Sequence, residues 1–272
     1  MVGSYLNGIK DLVGGDFREK EIYSIYGLPS VGKSLYMIEE AFNLLNNKYR
    51  VIWIDTEGGY NGLYETFKSK FESKYPNISP DNFYYKRCLT VEDLSQYLGI
   101  GMEIKYGDKI TSSITKISTR DEGSIYETIG RKHGKFAIIL DSFTSPLKLQ
   151  FGTAVQNFGG TADAGGYIIL GLMKLMDQTN AFTIMSNHSS VNPTNPYQQT
   201  GNMRGGNVVQ YYSKFVIDFE RQKKQVLADV RKLIAVRTPI AKNWDMFRWV
   251  KLTDNGYIDL SEEDVQNILN GN

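Results

Sequence analysis

The chain has 272 residues, a formal net charge of +1, 41% hydrophobic and 22% charged residues, which excludes a generally basic nucleic-acid binder and leaves only a local patch for such a partner. Cys88 is the single cysteine, and His133 and His188 are the only histidines, so an intrachain disulfide is excluded and a Cys/His zinc site is disfavoured. Residues 1–20 carry no apolar run and no stretch has the length of a membrane span, so the expectation is a soluble cytoplasmic protein with no membrane partner.

Residues 22–26 (IYSIY) are apolar, β-branched and aromatic and stop at Gly27, the pattern of a buried strand. Leu35, Ile38, Phe42 and Leu45 then recur at helical spacing, and 51–55 (VIWID) predicts a second buried strand. A helix over 63–75 is stopped by Pro76. A strand follows at 83–86, and short helices are expected at 91–98 and 124–131. Between those helices, 102–106 and 109–117 alternate at period two around Gly107-Asp108, which predicts a β-hairpin insertion at about 101–123. Residues 136–141 (FAIILD) are apolar up to a final carboxylate, 167–176 reads as a helix, and 181–186 (AFTIMS) as the next strand. Such alternation implies a mostly parallel sheet with helices on both faces. From 215 onward, consecutive strands at 215–220, 226–236 and 245–252, with a turn at Asp254-Asn255-Gly256, predict an antiparallel C-terminal extension. Ser261 can cap a last helix. Residues 1–272 are expected to form one α/β domain.

The octet GLPSVGKS has the spacing G-x-x-x-x-G-K-S and lies between a buried strand and an amphipathic helix, the context a P-loop requires. Its residues Gly27, Leu28, Pro29, Ser30, Val31, Gly32, Lys33 and Ser34, followed by Leu35, are the candidate ATP-phosphate cradle. Main-chain amides converge there at a helix N-terminus, whose dipole favours anions. Lys33 would reach the β- and γ-phosphates and the Ser34 hydroxyl would ligate Mg2+. Asp141 ends an apolar strand at the carboxyl edge of a parallel sheet, where ligands bind in open α/β folds. It is the candidate magnesium-organising carboxylate; capping of the turn at Ser142 is the plainer alternative.

Further segments fall in a telling order: IDTEGGY from Ile54, ILDSFTS from Ile139, MSNHSS from Met185 and MRGGN from Met203. Together with LNGIKDLVGGDFREKEIYSIYG before the loop, they resemble the core of the RecA/RadA recombinase family across most of the chain. The resemblance implies a RecA-like P-loop NTPase that binds ATP and Mg2+ and acts on single-stranded DNA in recombination or repair. It assigns Glu57 as the carboxylate that activates the attacking water, against a plain solvated glutamate. Asn187 and His188 fall at the strand-end γ-phosphate sensor, with His188 where the family usually has glutamine. Tyr64 matches an adenine-stacking tyrosine, with helix packing as the alternative. The segment 191–207 corresponds to a mobile second DNA loop, where Tyr197 could stack on a base and Arg204 could contact a phosphate. Residues 151–164 would be the first DNA loop, although they carry no Lys or Arg. Arg237 and Lys242 are candidates for action across a subunit interface, or simply a basic strand end.

No helical DNA-binding domain is expected before the core, and the F-x-x-A spacing of the family's polymerisation segment occurs only at Phe151–Ala154, out of place. The resemblance is therefore to core-only paralogues of the RadB or viral type, as a homo-oligomer or with a recombinase partner. Two other functions stay open: an ATP-binding recombination mediator with little turnover, and a KaiC-like regulatory ATPase that does not bind DNA.

Overall fold

A computed structural model describes residues 1–106, 112–119, 122–129, 134–151, 158–192, 195–203, 206–239 and 246–271. Helix α1 (Asn7–Val13) leads to strand β1 (Ile22–Gly27), and then come α2 (Lys33–Asn46), β2 (Arg50–Asp55), α3 (Tyr60–Lys74) and β3 (Phe83–Arg87). Helix α4 (Val91–Tyr97) precedes the hairpin strands β4 (Ile100–Tyr106) and β5 (Ser112–Thr119). They are followed by α5 (Ile125–Ile129), β6 (Phe136–Asp141), α6 (Thr144–Phe151), α7 (Phe158–Thr179), β7 (Phe182–Asn192) and β8 (Asn195–Met203). The last elements are α8 (Gly206–Tyr212), β9 (Phe215–Arg221), β10 (Val230–Arg237), β11 (Phe247–Thr253), β12 (Gly256–Leu260) and α9 (Glu262–Asn270).

The main sheet runs β12-β11-β10-β9-β1-β7-β6-β2-β3, with β8 attached to β7. Pairings from β9 through β3 are parallel, and β10, β11 and β12 join antiparallel. The inner parallel strands β1, β2 and β6 are buried on both faces, which is why their sequences are apolar without alternation, whereas the edge strand β3 is half-buried to exposed. Val51 and Trp53 of β2, with Ala137 and Ile139 of β6, point into one core beside α2 and α3. Ile52, Ile54, Ile138 and Leu140 point into the other, beside α4 and α7. This is the mostly parallel, two-faced sheet with an antiparallel extension that the patterning predicts.

The turn at Asp254-Asn255-Gly256 joins β11 to β12, with Gly256 at φ +100°. A side chain at Gly256 would collide with the Glu39 carboxylate of α2 at 2.2 Å. Glu39, fully buried, accepts bonds from Lys74 Nζ (2.5 Å), Tyr75 OH and the Tyr257 amide, and so ties α2 to α3 and to the C-terminal hairpin. Ser261 caps α9 in a reciprocal box with Asp264. Strands β4 and β5 pair in a separate two-stranded sheet, as the period-two pattern anticipates; Gly107-Asp108 lies outside the described residues.

The segment after β7 differs from expectation. Instead of a mobile loop over 191–207, β7 continues to Asn192 and pairs antiparallel with β8, with Ser189 opposite Met203 and Val191 opposite Gln199. Main-chain pairing there does not depend on an apolar pattern, which is why composition misses it. Helix α7 also begins earlier than predicted and takes in part of 151–164.

Candidate active site

Parallel register brings the ends of β1, β2, β6 and β7 to one edge of the sheet. Gly27 lies opposite His188, Tyr26 opposite Asn187, and Asp55 opposite Asp141. The phosphate-type loop leaves β1 at that edge and enters α2 at Lys33, and Gly32 takes a left-handed φ of +99°. Lys33 is buried, and its ammonium donates to the carbonyls of Gly27 (3.1 Å) and Leu28 (3.0 Å). Burial lowers its pKa, while the charges of Asp141, Glu57 and Asp218 oppose that shift. The charges of three carboxylates therefore act on one buried ammonium, and the loop residues Pro29 and Ser30 face solvent.

Asp141, 4% exposed, accepts a hydrogen bond from Ser186 Oγ at 2.5 Å. Burial raises its pKa, hydrogen bonds from Ser186 and Ser34 hold it down, and the charges of Glu57 and Asp55 push it up. A desolvated carboxylate beside other acids and bonded to the Ser34 hydroxyl is a donor set that a divalent cation would relieve. Among the described residues no cluster of three His, Cys, Asp or Glu side chains forms a metal cage. Mg2+ keeps water and substrate oxygens around one or two protein ligands, a demand that one carboxylate and one hydroxyl can meet. Asp141 and Ser34 fit such an ion.

Two neighbouring strand ends are laced together. Thr56 N donates to Asp141 O (2.7 Å), and Thr56 Oγ1 donates to Ser142 O (2.7 Å) and accepts from Ser142 N (2.7 Å). The Asp141-Ser142 peptide is cis. Asp55 shapes the turn after β2 by accepting from the amides of Glu57 (3.0 Å) and Gly58 (2.7 Å) and from Tyr85 OH (3.0 Å). Glu57 Oε1 then accepts from Ser142 Oγ (2.6 Å) and meets His188 Nε2 at 2.7 Å. The His188 bond is the main cause that lowers the Glu57 pKa to about 2; partial burial opposes it, and Ser142 and Lys33 reinforce it.

Beside His188, the Asn187 side chain is fully buried, and neither its amide nitrogen nor its oxygen has a hydrogen-bond partner among the described residues. An unsatisfied buried amide is costly, and a polar group reaching it would be bound firmly. Asp218 of β9, opposite Tyr26, is likewise half unsatisfied at Oδ1. Burial raises its pKa to about 6, with a Tyr26 hydrogen bond opposing and the Glu220 charge reinforcing.

Not every predicted residue gathers here. Tyr64 stacks on Phe42 (5.9 Å) and Tyr60 (5.1 Å) with the Lys68 ammonium over its ring, contacts that belong to helix packing. Arg237 donates to the carbonyls of Gln210 and Tyr211 in the last turn of α8, where a cation complements the helix dipole. Tyr197 contributes backbone to β8, while its side chain, Arg204 and Lys242 lie outside the described residues. Sequence reasoning passed over Thr56, Ser186 and Asp218. A lone acid within the apolar run FVIDF was the available signal for Asp218; Thr56 and Ser186 act through contacts between strands that no local pattern announces.

No family model matches the chain. It is 24% identical over 253 residues to the DNA repair and recombination protein RadB of Methanococcus maripaludis, covering 91% of this chain and 95% of that one. The protein of that name from Methanocaldococcus jannaschii is 24% identical over 227 residues, covering 82% and 89%. In three dimensions a crystal structure of the RadB recombinase superposes with a TM-score of 0.63 at 14% identity, over 96% of this chain and all of that one. The likeness to RadB proteins thus runs along nearly the whole chain, in sequence and in fold, and supports a RadB-like protein of the RecA/RadA family.

Proposed function

We propose that the chain is an ATP-hydrolysing protein of DNA repair and recombination that acts on single-stranded DNA in the cytoplasm. The observation that carries this reading is the convergence of Lys33, Asp141, Glu57 and Asn187 at one sheet edge beside the loop. The names of the curated relatives support the repair and recombination role.

In this reading the loop amides and Lys33 hold the phosphates of ATP, with Lys33 exchanging the Gly27 and Leu28 carbonyls for phosphate oxygens. Ser34 and Asp141 hold Mg2+, which when bound supplies charge neutralisation of the phosphates. Glu57, fixed by Ser142, orients a water and accepts its proton. Asn187 donates its unpaired amide to the γ-phosphate, and His188 reports the change to β7 and so to β8. The strand pair β7–β8, with Tyr197 and Arg204, is the proposed DNA-facing element. Tyr64 is proposed for the adenine side, and Arg237 and Lys242 for a neighbouring subunit.

The carboxylate of Glu57 is already engaged by His188, an observation that favours a second reading in which the chain binds ATP as a recombination mediator and turns over slowly. Steady-state ATP hydrolysis with and without single-stranded DNA separates the two. DNA-stimulated turnover lost in Lys33→Ala and Glu57→Gln supports the first. Tight ATP binding without turnover supports the second. Turnover indifferent to DNA, with no salt-sensitive DNA binding, removes DNA from the proposal.

A further inference from the structure

The Val31 carbonyl oxygen, inside the phosphate loop, accepts two hydrogen bonds from the antiparallel end of the sheet. Tyr257 OH reaches it from β12 at 2.9 Å, and Arg231 Nε from β10 at 2.9 Å. Both carbonyl lone pairs are thereby used. The two donors are 1% and 3% exposed. Nη1 of Arg231 goes to two further main-chain carbonyls, Ala228 O (2.7 Å) and Val230 O (2.9 Å), and no carboxylate among the described residues pairs with it. A buried guanidinium answered by carbonyl dipoles and the Tyr257 hydroxyl, without a carboxylate, is costly unless an anion approaches its field.

Peptide planarity turns this contact into a statement about the loop. The Val31-Gly32 unit is trans, so an oxygen held toward the C-terminal hairpin sets the Gly32 N–H toward the opposite side. Hydrogen bonding at the oxygen also polarises the amide and strengthens its N–H as a donor. The hairpin can come this close only because residue 32 is glycine: a Cβ there would sit 1.9 Å from Tyr257 OH.

We propose that Tyr257 and Arg231 are positioning residues of the nucleotide site, clamping the Val31-Gly32 peptide so that the Gly32 amide is aimed at a phosphate of a nucleoside di- or triphosphate. Arg231 adds fixed positive charge behind that amide. The antiparallel extension is on this account part of the phosphate-binding device. The inference rests on the phosphate-loop reading given above and deepens it.

Calorimetric titration of the full chain with MgADP and MgATP tests it in the native protein, Tyr257→Phe, Arg231→Lys and Lys33→Ala. Tyr257→Phe keeps the ring and removes one hydrogen bond, so its Kd for both nucleotides should rise alike, by about threefold to tenfold. The Gly32 amide proton resonance of the nucleotide complex should move upfield in the same variant, as its polarising partner is lost. A purely structural role for Tyr257 lowers the thermal midpoint but leaves both Kd values within about twofold and the Gly32 resonance in place; that result overturns the proposal. Should Arg231→Lys fail to fold, Tyr257→Phe decides alone. Absence of binding by the native chain to either nucleotide would overturn the phosphate-loop reading, and the clamp with it. Native binding whose Kd stays within about twofold in Tyr257→Phe overturns the clamp alone.

Discussion

His188 Nε2 and Glu57 Oε1 lie 2.7 Å apart, joining β7 to the turn after β2. An ionised carboxylate can only accept, so the imidazole donates through a protonated Nε2. This bond and the one from Ser142 keep Glu57 ionised far into acid, with its pKa lowered to about 2. In His188→Ala the largest lowering cause is gone, and the pKa should return toward the ordinary carboxylate range near 4. Carboxyl-carbon NMR at pH 4 should then find Glu57 fully ionised in the native chain and about half protonated in the variant. The folded-state pKa is depressed, so the bond contributes stability above the unfolded value of about 4.5. That contribution is lost as pH falls toward about 2. A Glu57 titration that ignores the substitution would show that the imidazole is not the cause.

Glu57→Gln and Lys33→Ala should fail in different ways. The first keeps shape and the Ser142 contact but cannot take a proton, so MgATP should still bind while kcat drops by about 10²-fold to 10⁴-fold. The second removes the buried ammonium that Asp141, Glu57 and Asp218 face. Nucleotide affinity itself should then collapse, with at least about a 10²-fold loss of turnover. Equal kcat and KM effects in both variants would contradict the division of labour proposed for them.

Strands β2 and β6 were legible because burial on both faces writes an unbroken apolar run, as in FAIILD, and because each run ends in an aspartate at one sheet edge. Glycines hid the length of α7. Phe158–Thr179 is a 22-residue helix, yet Gly159, Gly160, Gly165 and Gly166 lower local propensity and confine the sequence prediction to 167–176. Helix α1 spans seven residues, too few for periodicity to declare itself. Asp55 and Asp141 lie at neighbouring strand ends, because their motifs close the strands that carry them, and Asn187 and His188 lie opposite the end of β1. Arg231 and Tyr257, whose role is a contact 200 and 226 residues away in sequence, left no local signal at all.

Gly171 of α7 provides a packing test. Alanine is favoured over glycine in a helix by about 1 kcal/mol. Here, however, a Cβ would come within 2.8 Å of Leu98 Cβ and 3.1 Å of Ile100 Cδ1, and the first of these is no flexible tip. Overpacking in a filled core costs about 1–3 kcal/mol and should outweigh the propensity gain. Gly171→Ala is therefore expected to be destabilised by about 1 kcal/mol or more in urea unfolding. Neutral or raised stability would mean that α4 and α7 can separate at no cost.

Thr56 separates architecture from chemistry most sharply. Its hydroxyl alone serves both the carbonyl and the amide of Ser142, and Thr56 is 4% exposed. Valine has nearly the same shape, so Thr56→Val leaves two main-chain groups unanswered with little change in packing. The cost should be about 2 kcal/mol or more, read as a lower urea midpoint with unchanged m. Thr56→Ser keeps the hydroxyl and should stay within about 1 kcal/mol of the native chain. The consequence for turnover follows from Ser142, whose Oγ holds Glu57 at 2.6 Å. Loosening Ser142 lets the carboxylate wander while Lys33 and the loop remain as they were. Thr56→Val should accordingly lower kcat and leave the MgADP Kd unchanged. A weakened Kd with intact kcat would place the Thr56 bonds in support of the loop, and Glu57 would then owe its position to Asp55 and His188 alone.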